Sequence, residues 1–161
     1  MCRSYTEVLT SRVLAYLDQI QLSYQLTSSS PLQACTSSST AKVDDITADI
    51  TCSTEDAVSR VTLSGSGVTK LCSLYISGGR NVALKQATQQ SSRYYPAEAP
   101  DSFKADNAVD GRVGDGSRDD ARLTCTHTNY ADDPDWWTVN FTQAADVTRF
   151  LVYNRDGKFD T

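Results

Sequence analysis

Alternation of apolar and polar residues over short spans constrains this chain more than any other feature. In Trp136 to Phe141 the side chains of Trp137, Val139 and Phe141 fall on one side of an extended backbone. Trp136, Thr138 and Asn140 fall on the other. In Val147 to Tyr153, Phe150 and Val152 oppose Leu151 and Tyr153 in the same way. Ile46 to Thr51, Ser59 to Leu63 and Leu71 to Ile76 read as three further strands. Gly, Asp, Asn and Ser separate these runs, a pattern that predicts an all-β sandwich with little helix. Residues 1–25 are ambiguous. Ser4-x-x-Glu7 has the form of a capping box ahead of Leu9, Val13, Tyr16, Leu17 and Ile20 at helical spacing, yet Ile20 to Tyr24 alternates. A loop or short helix leading into a strand from about Leu17 is expected. Gly65-Ser66-Gly67 reads as a hairpin turn, and Ser77-Gly78-Gly79 as a linker that splits the chain almost in half.

At 161 residues the chain suits one domain with a sizeable core, and its 39% hydrophobic and 22% charged residues are ordinary for a globular protein. A net charge of -5 argues against a nucleic-acid or anionic-membrane surface held by charge. No apolar run has the length of a membrane span. Met1-Cys2-Arg3-Ser4 lacks the apolar core of a secretory signal. The five cysteines point the other way, because none forms a Cys-x-x-Cys pair and the single histidine leaves no zinc set. Wide cysteine spacing suits disulfides in an oxidising compartment, with buried free thiols as the alternative. The expectation is a secreted module whose true N-terminus lies upstream of this chain. One histidine, with no Gly-rich phosphate loop and no nucleophile elbow, favours a binder over an enzyme.

Several segments carry a resemblance. Arg80 to Ser92, Asn107-Ala108-Val109-Asp110-Gly111, Cys125-Thr126-His127, Trp136-Trp137 and Tyr153-Asn154-Arg155 follow one another as in the F-type lectins (fucolectins), whose domain is a discoidin-like jelly-roll β-sandwich. The likeness stops at Thr161, where such a domain would be half finished. Residues 1–77 look like the missing half: Leu17 to Tyr24 resembles the strand after the sugar-site loop, and Leu71 to Ile76 the closing strand. Two organisations follow. Residues 1–77 and 80–161 either belong to adjacent repeats or fold together as one circularly permuted sandwich, joined at 78–79. The second leaves fewer open strand edges and is favoured. The resemblance then implies a Cys72–Cys125 bridge, and a Cys35–Cys52 bridge found in some members.

The resemblance also implies a function, the binding of L-fucose or fucosylated glycans and glycoproteins. His127 matches the family's sugar-binding histidine and Arg155 its first arginine, one residue further along than usual. The second arginine is missing; Lys158 can substitute, as can Arg3 or Arg12 from the other half. Asn107, Asp110, Arg112 and Thr124 fall where the family holds a structural Ca²⁺ through carbonyl, carboxylate, carbonyl and hydroxyl oxygens. Ser73 stands at a usual carboxylate position, which weakens that site. Asn140-Phe141-Thr142 is an N-glycosylation sequon on the strand face opposite Trp137. Rival readings are a discoidin-like adhesion module that uses Tyr94-Tyr95-Pro96 and Phe103 on a protein or phospholipid, and a structural repeat with a decayed sugar site. The sequence leaves homo-oligomerisation open.

Overall fold

The computed structural model describes residues 19–155, apart from 37, 45, 55, 95–98, 115–117 and 130–133. Among these the chain forms strands β1 (Gln21–Gln25), β2 (Gln33–Ala34), β3 (Ser38–Lys42), β4 (Thr47–Cys52) and β5 (Val58–Ser64). It continues through β6 (Leu71–Ser77), β7 (Ala87–Gln90), helix α1 (Arg118–Thr124), β8 (Trp136–Ala145) and β9 (Arg149–Asn154). The strands pair antiparallel into a five-stranded sheet, in order β2-β1-β5-β8-β7, and a four-stranded sheet, in order β3-β4-β9-β6. The fold is a β-sandwich, as the alternation predicts.

Packing follows the period of two. Leu22, Val61, Leu63, Trp137, Val139 and Phe141 of the first sheet meet Ala48, Ile50, Leu74, Ile76, Phe150 and Val152 of the second in one buried cluster. Trp137 is fully buried and its Nε1 donates to Ala105 O at 2.9 Å, whereas Trp136 is half-buried. The strands read from alternation appear as β4, β5, β6, β8 and β9, with ends shifted by a residue or more.

Two expectations need correction. Gly65-Ser66-Gly67 is not a hairpin turn: residues Ser66–Lys70 form a 3-10 turn that carries the chain from β5 in one sheet to β6 in the other. At the N-terminal end, the strand expected from about Leu17 begins at Gln21; residues 1–18 lie outside the described part.

Around Gly78 and Gly79 the backbone turns back tightly. Ser77 bridges to Asn81, Val82 N donates to Ile76 O at 2.9 Å, and Asn81 Oδ1 accepts from Ile76 N and Ala83 N. Each sheet draws strands from both sides of this turn: β8 lies between β5 and β7, and β9 between β4 and β6. Disulfides Cys35–Cys52 and Cys72–Cys125 add covalent ties, the second joining β6 to the residue after α1.

Candidate functional site

The segment after α1 is a strap stitched down on both sides. Thr126 N and Oγ1 both donate to Leu71 O, at 2.7 and 3.1 Å, which anchors the strap to the start of β6. On its other side Tyr94 N donates to His127 O at 2.9 Å, Gln90 Nε2 donates to the same carbonyl at 3.2 Å, and Asn129 N donates to Ser92 Oγ at 2.9 Å. Thr124, Cys125, Thr126, His127 and Thr128 are all buried in consequence.

His127 is therefore no open loop tip. It is 4% exposed, with its ring edge-on to Tyr94 (centroids 5.0 Å apart) and 5.3 Å from Phe103. Phe103 is itself buried at a positive φ of 57°, and its N donates to Arg122 O on α1. This removes Phe103 from the exposed apolar tip expected of a lipid- or protein-binding loop. Tyr94, 40% exposed, is the outward ring of the three. Tyr95 and Pro96 lie outside the described residues.

Arg155 approaches the start of the same strap from the four-stranded sheet. It follows β9 directly and lines a small cavity of about 20 Å³ with Cys72, Thr124, Cys125, Val113 and Asn154. That volume holds about one water. His127 does not line this cavity; it lies two residues beyond Cys125, whose disulfide to Cys72 does. Lys158, Arg3 and Arg12 lie outside the described residues, as do Asp132 and Asp133.

Two polar groups that sequence reasoning passed over stand near His127. Gln90, at the end of β7, spends its Nε2 on the carbonyls of Ser92, Phe103 and His127, while its Oε1 is buried with no partner among the described residues. Thr128 Oγ1 is buried in the same condition. Such orphans are uncommon and mark places where water or a ligand completes the bonding. Glutamine in a strand and threonine in a loop leave no sequence signal.

The expected calcium ligands form a thin donor set. Asp110 Oδ1 accepts from Arg112 N at 2.7 Å, closing a turn, and Asn107 Nδ2 donates to Cys125 O at 2.9 Å. Thr124 Oγ1 is buried, 3.8 Å from Cys125 Sγ. Among the described residues no three His, Cys, Asp or Glu side chains gather as a metal site. Asp110 supplies the one carboxylate in the set, so an ion there depends on backbone carbonyls. Asn140, the sequon residue, lies on the outer side of β8 with its Oδ1 accepting from Arg60 Nε, and Thr142 is held by Gln86.

With this geometry in view, residues 107–160 match the family model described as a NedA-like, galactose-binding domain of the F5/F8 type C group. That span, about one third of the chain, is similar to discoidin-like domains. The matched span runs from the turn at Asn107 through the histidine strap, β8 and β9, and so takes in the region around the Cys72–Cys125 bridge from one side of the turn at Gly78. Comparison of the chain with curated proteins and with solved structures returns no match. No helix among the described residues is long and apolar enough to cross a membrane. The two disulfides fit an extracellular setting.

Proposed function

We propose that this discoidin-like domain is a carbohydrate-binding module for L-fucose or fucosylated glycans, working without catalysis at the end of the sandwich that carries the Cys72–Cys125 bridge. The observation that supports this reading is that Arg155 lines the cavity beside Cys72 and Cys125, while His127 follows Cys125 by two residues. The family match, whose description names galactose, supports a sugar as the ligand class. A guanidinium donates in fixed directions to neighbouring sugar oxygens, and buried acceptors such as Gln90 Oε1 and Thr128 Oγ1 suit hydroxyl donors. Tyr94 presents the exposed ring of the His127 cluster, so it meets an arriving sugar first and His127 lies beneath it.

Calcium enters this proposal as a weak structural ligand, held through Asp110, Thr124 and carbonyls at Asn107 and Arg112. At millimolar affinity, a few millimolar calcium adds about 1 kcal/mol, or roughly 2–4 °C in melting temperature. Asp110→Ala removes that increment; a melt indifferent to calcium overturns the calcium part alone.

The binding test uses immobilised fucosylated and galactosylated glycans. Arg155→Gln, with circular dichroism and melting unchanged, is expected to weaken binding about tenfold or more, the loss of a charge-assisted hydrogen bond. His127→Ala is expected to weaken it as well, with Tyr94→Phe as the control that preserves the ring. Binding at background level to every glycan overturns the reading, and co-sedimentation with phospholipid vesicles in its place supports the adhesion alternative.

A further inference from the structure

A second concavity lies away from the Cys72–Cys125 bridge. It is an open groove of about 740 Å³ between the start of β7 and the turn Ala105–Val109, lined by Lys85, Gln86, Thr88, Asp106, Asp110 and Thr142 over a floor that includes Ala87, Ala105 and Val109. We infer that this groove is a second saccharide subsite, which takes a neutral polyhydroxylated ring through Lys85 and Asp106. It does not depend on the His127 strap or on Arg155, and shares only Asp110 with the calcium set above.

Its volume falls in the range of small-molecule sites. The chemistry is mixed in the way a sugar needs. Each sugar hydroxyl both donates and accepts, and each ring has an apolar C–H face. Lys85 offers an ammonium donor, Asp106 a carboxylate acceptor, Gln86 and Thr88 neutral groups, and the alanine and valine floor an apolar contact. Neither Lys85 nor Asp106 has an ion pair among the described residues, although both line one groove. An open, shallow form suits a ligand that remains attached to a larger glycan.

The backbone at Lys85 supplies an independent observation. Its φ is 57°, in the left-handed region where a residue with a Cβ is strained. Two bonds fix it there: Lys85 N donates to Val109 O at 2.7 Å, and Gln86 N donates to Ala83 O at 3.1 Å. Glycine would take this position without strain, yet the chain keeps a lysine at the mouth of the groove. On the other wall, Gln86 Oε1 accepts from Thr142 N and Thr142 Oγ1, both at 2.9 Å, which holds the glutamine against β8. The groove is thus held on both sides before any ligand arrives. Two subsites on one module would raise avidity for a branched or repeating glycan with no new contact at either.

The test is a residue-resolved NMR titration of the whole ¹⁵N-labelled chain with methyl α-L-fucoside and with methyl β-D-galactoside, into the millimolar range. The expected result is a saturable shift of the Lys85, Gln86, Thr88 and Asp106 amides, separate from any shift of residues 124–128 and Arg155. Lys85→Gly, which suits the backbone at that position, combined with Asp106→Asn should weaken the groove response about tenfold or more and leave the other group unchanged. Two results overturn the proposal: no groove shift with either sugar, or a groove shift that survives in the double variant. Failure at residues 124–128 with success in the groove overturns the earlier reading and leaves this one standing.

Discussion

Trp137 is the largest fully buried side chain described, and its indole N–H is satisfied by a single carbonyl, that of Ala105. Trp137→Ala is expected to cost about 3–5 kcal/mol, the range for a large aromatic lost from a packed core. Trp137→Phe keeps much of the volume but leaves Ala105 O without its donor, about 1–3 kcal/mol. Urea midpoints at equal slope separate the two. Asp44 makes a smaller contribution with a definite sign. Its Oδ1 accepts from Ile46 N at 3.0 Å in the turn between β3 and β4, and that bond holds its carboxyl below the ordinary carboxylate value of 3.8. A depressed folded-state pKa stabilises above the unfolded value and loses that stabilisation as pH falls through the folded one. The wild-type advantage over Asp44→Asn should therefore be constant at neutral pH and fade below about pH 4. The carboxyl is largely exposed, so the difference is a few tenths of a kcal/mol, read from urea midpoints across that range. Trp137 was legible from its place in an alternating run. The burial of His127 was not, because a strap tied down by hydrogen bonds to distant residues leaves no periodic pattern in its own sequence.

At the scale of elements, alternation found the strands that bury one face and missed how they are joined. β4, β5, β6, β8 and β9 were legible because Ile50, Leu63, Ile76, Val139 and Val152 recur every second residue among polar neighbours. β2 and β3, rich in Gln, Ser and Thr, carry no such contrast. Gly65 shows the limit. Glycine and serine after a strand signal a turn, but nothing in them says whether the next strand pairs with the last or crosses to the facing sheet. Here it crosses. Gly65 adopts a φ of 106°, its N donates to Asp135 O at 2.9 Å, and a Cβ at this position would run into the carbonyl of Gln19. Gly65→Ala should cost about 2 kcal/mol or more, from strain and from displacement of the segment before β1. A fall in melting temperature of roughly 4–8 °C checks it, and an unchanged melt would mean that the crossover tolerates a different path.

For the molecule as a whole, the division at Gly78-Gly79 is visible in sequence and does not coincide with a division of the core. β5 pairs with β8 from Val58↔Ala145 to Ser64↔Trp136, and β9 sits between β4 and β6. Leu63 and Ile76 from one side of the turn share a buried cluster with Trp137 and Phe150 from the other. Residues 1–77 alone would expose β5 and both strands that flank β9, while 80–161 alone would hold β7 and β8 from one sheet and β9 from the other, with no facing layer complete. If the two halves form one permuted sandwich, each fragment expressed separately should lack cooperative unfolding and bind the hydrophobic dye ANS. Mixed under oxidising conditions, they should assemble one to one, recover a single cooperative transition, and run together on a non-reducing gel through Cys72–Cys125. Fragments that melt cooperatively on their own would overturn this organisation in favour of two repeat halves that each require a different neighbour. The outcome turns on the β5–β8, β4–β9 and β6–β9 ladders, the pairings that join a strand before Gly78 to one after it.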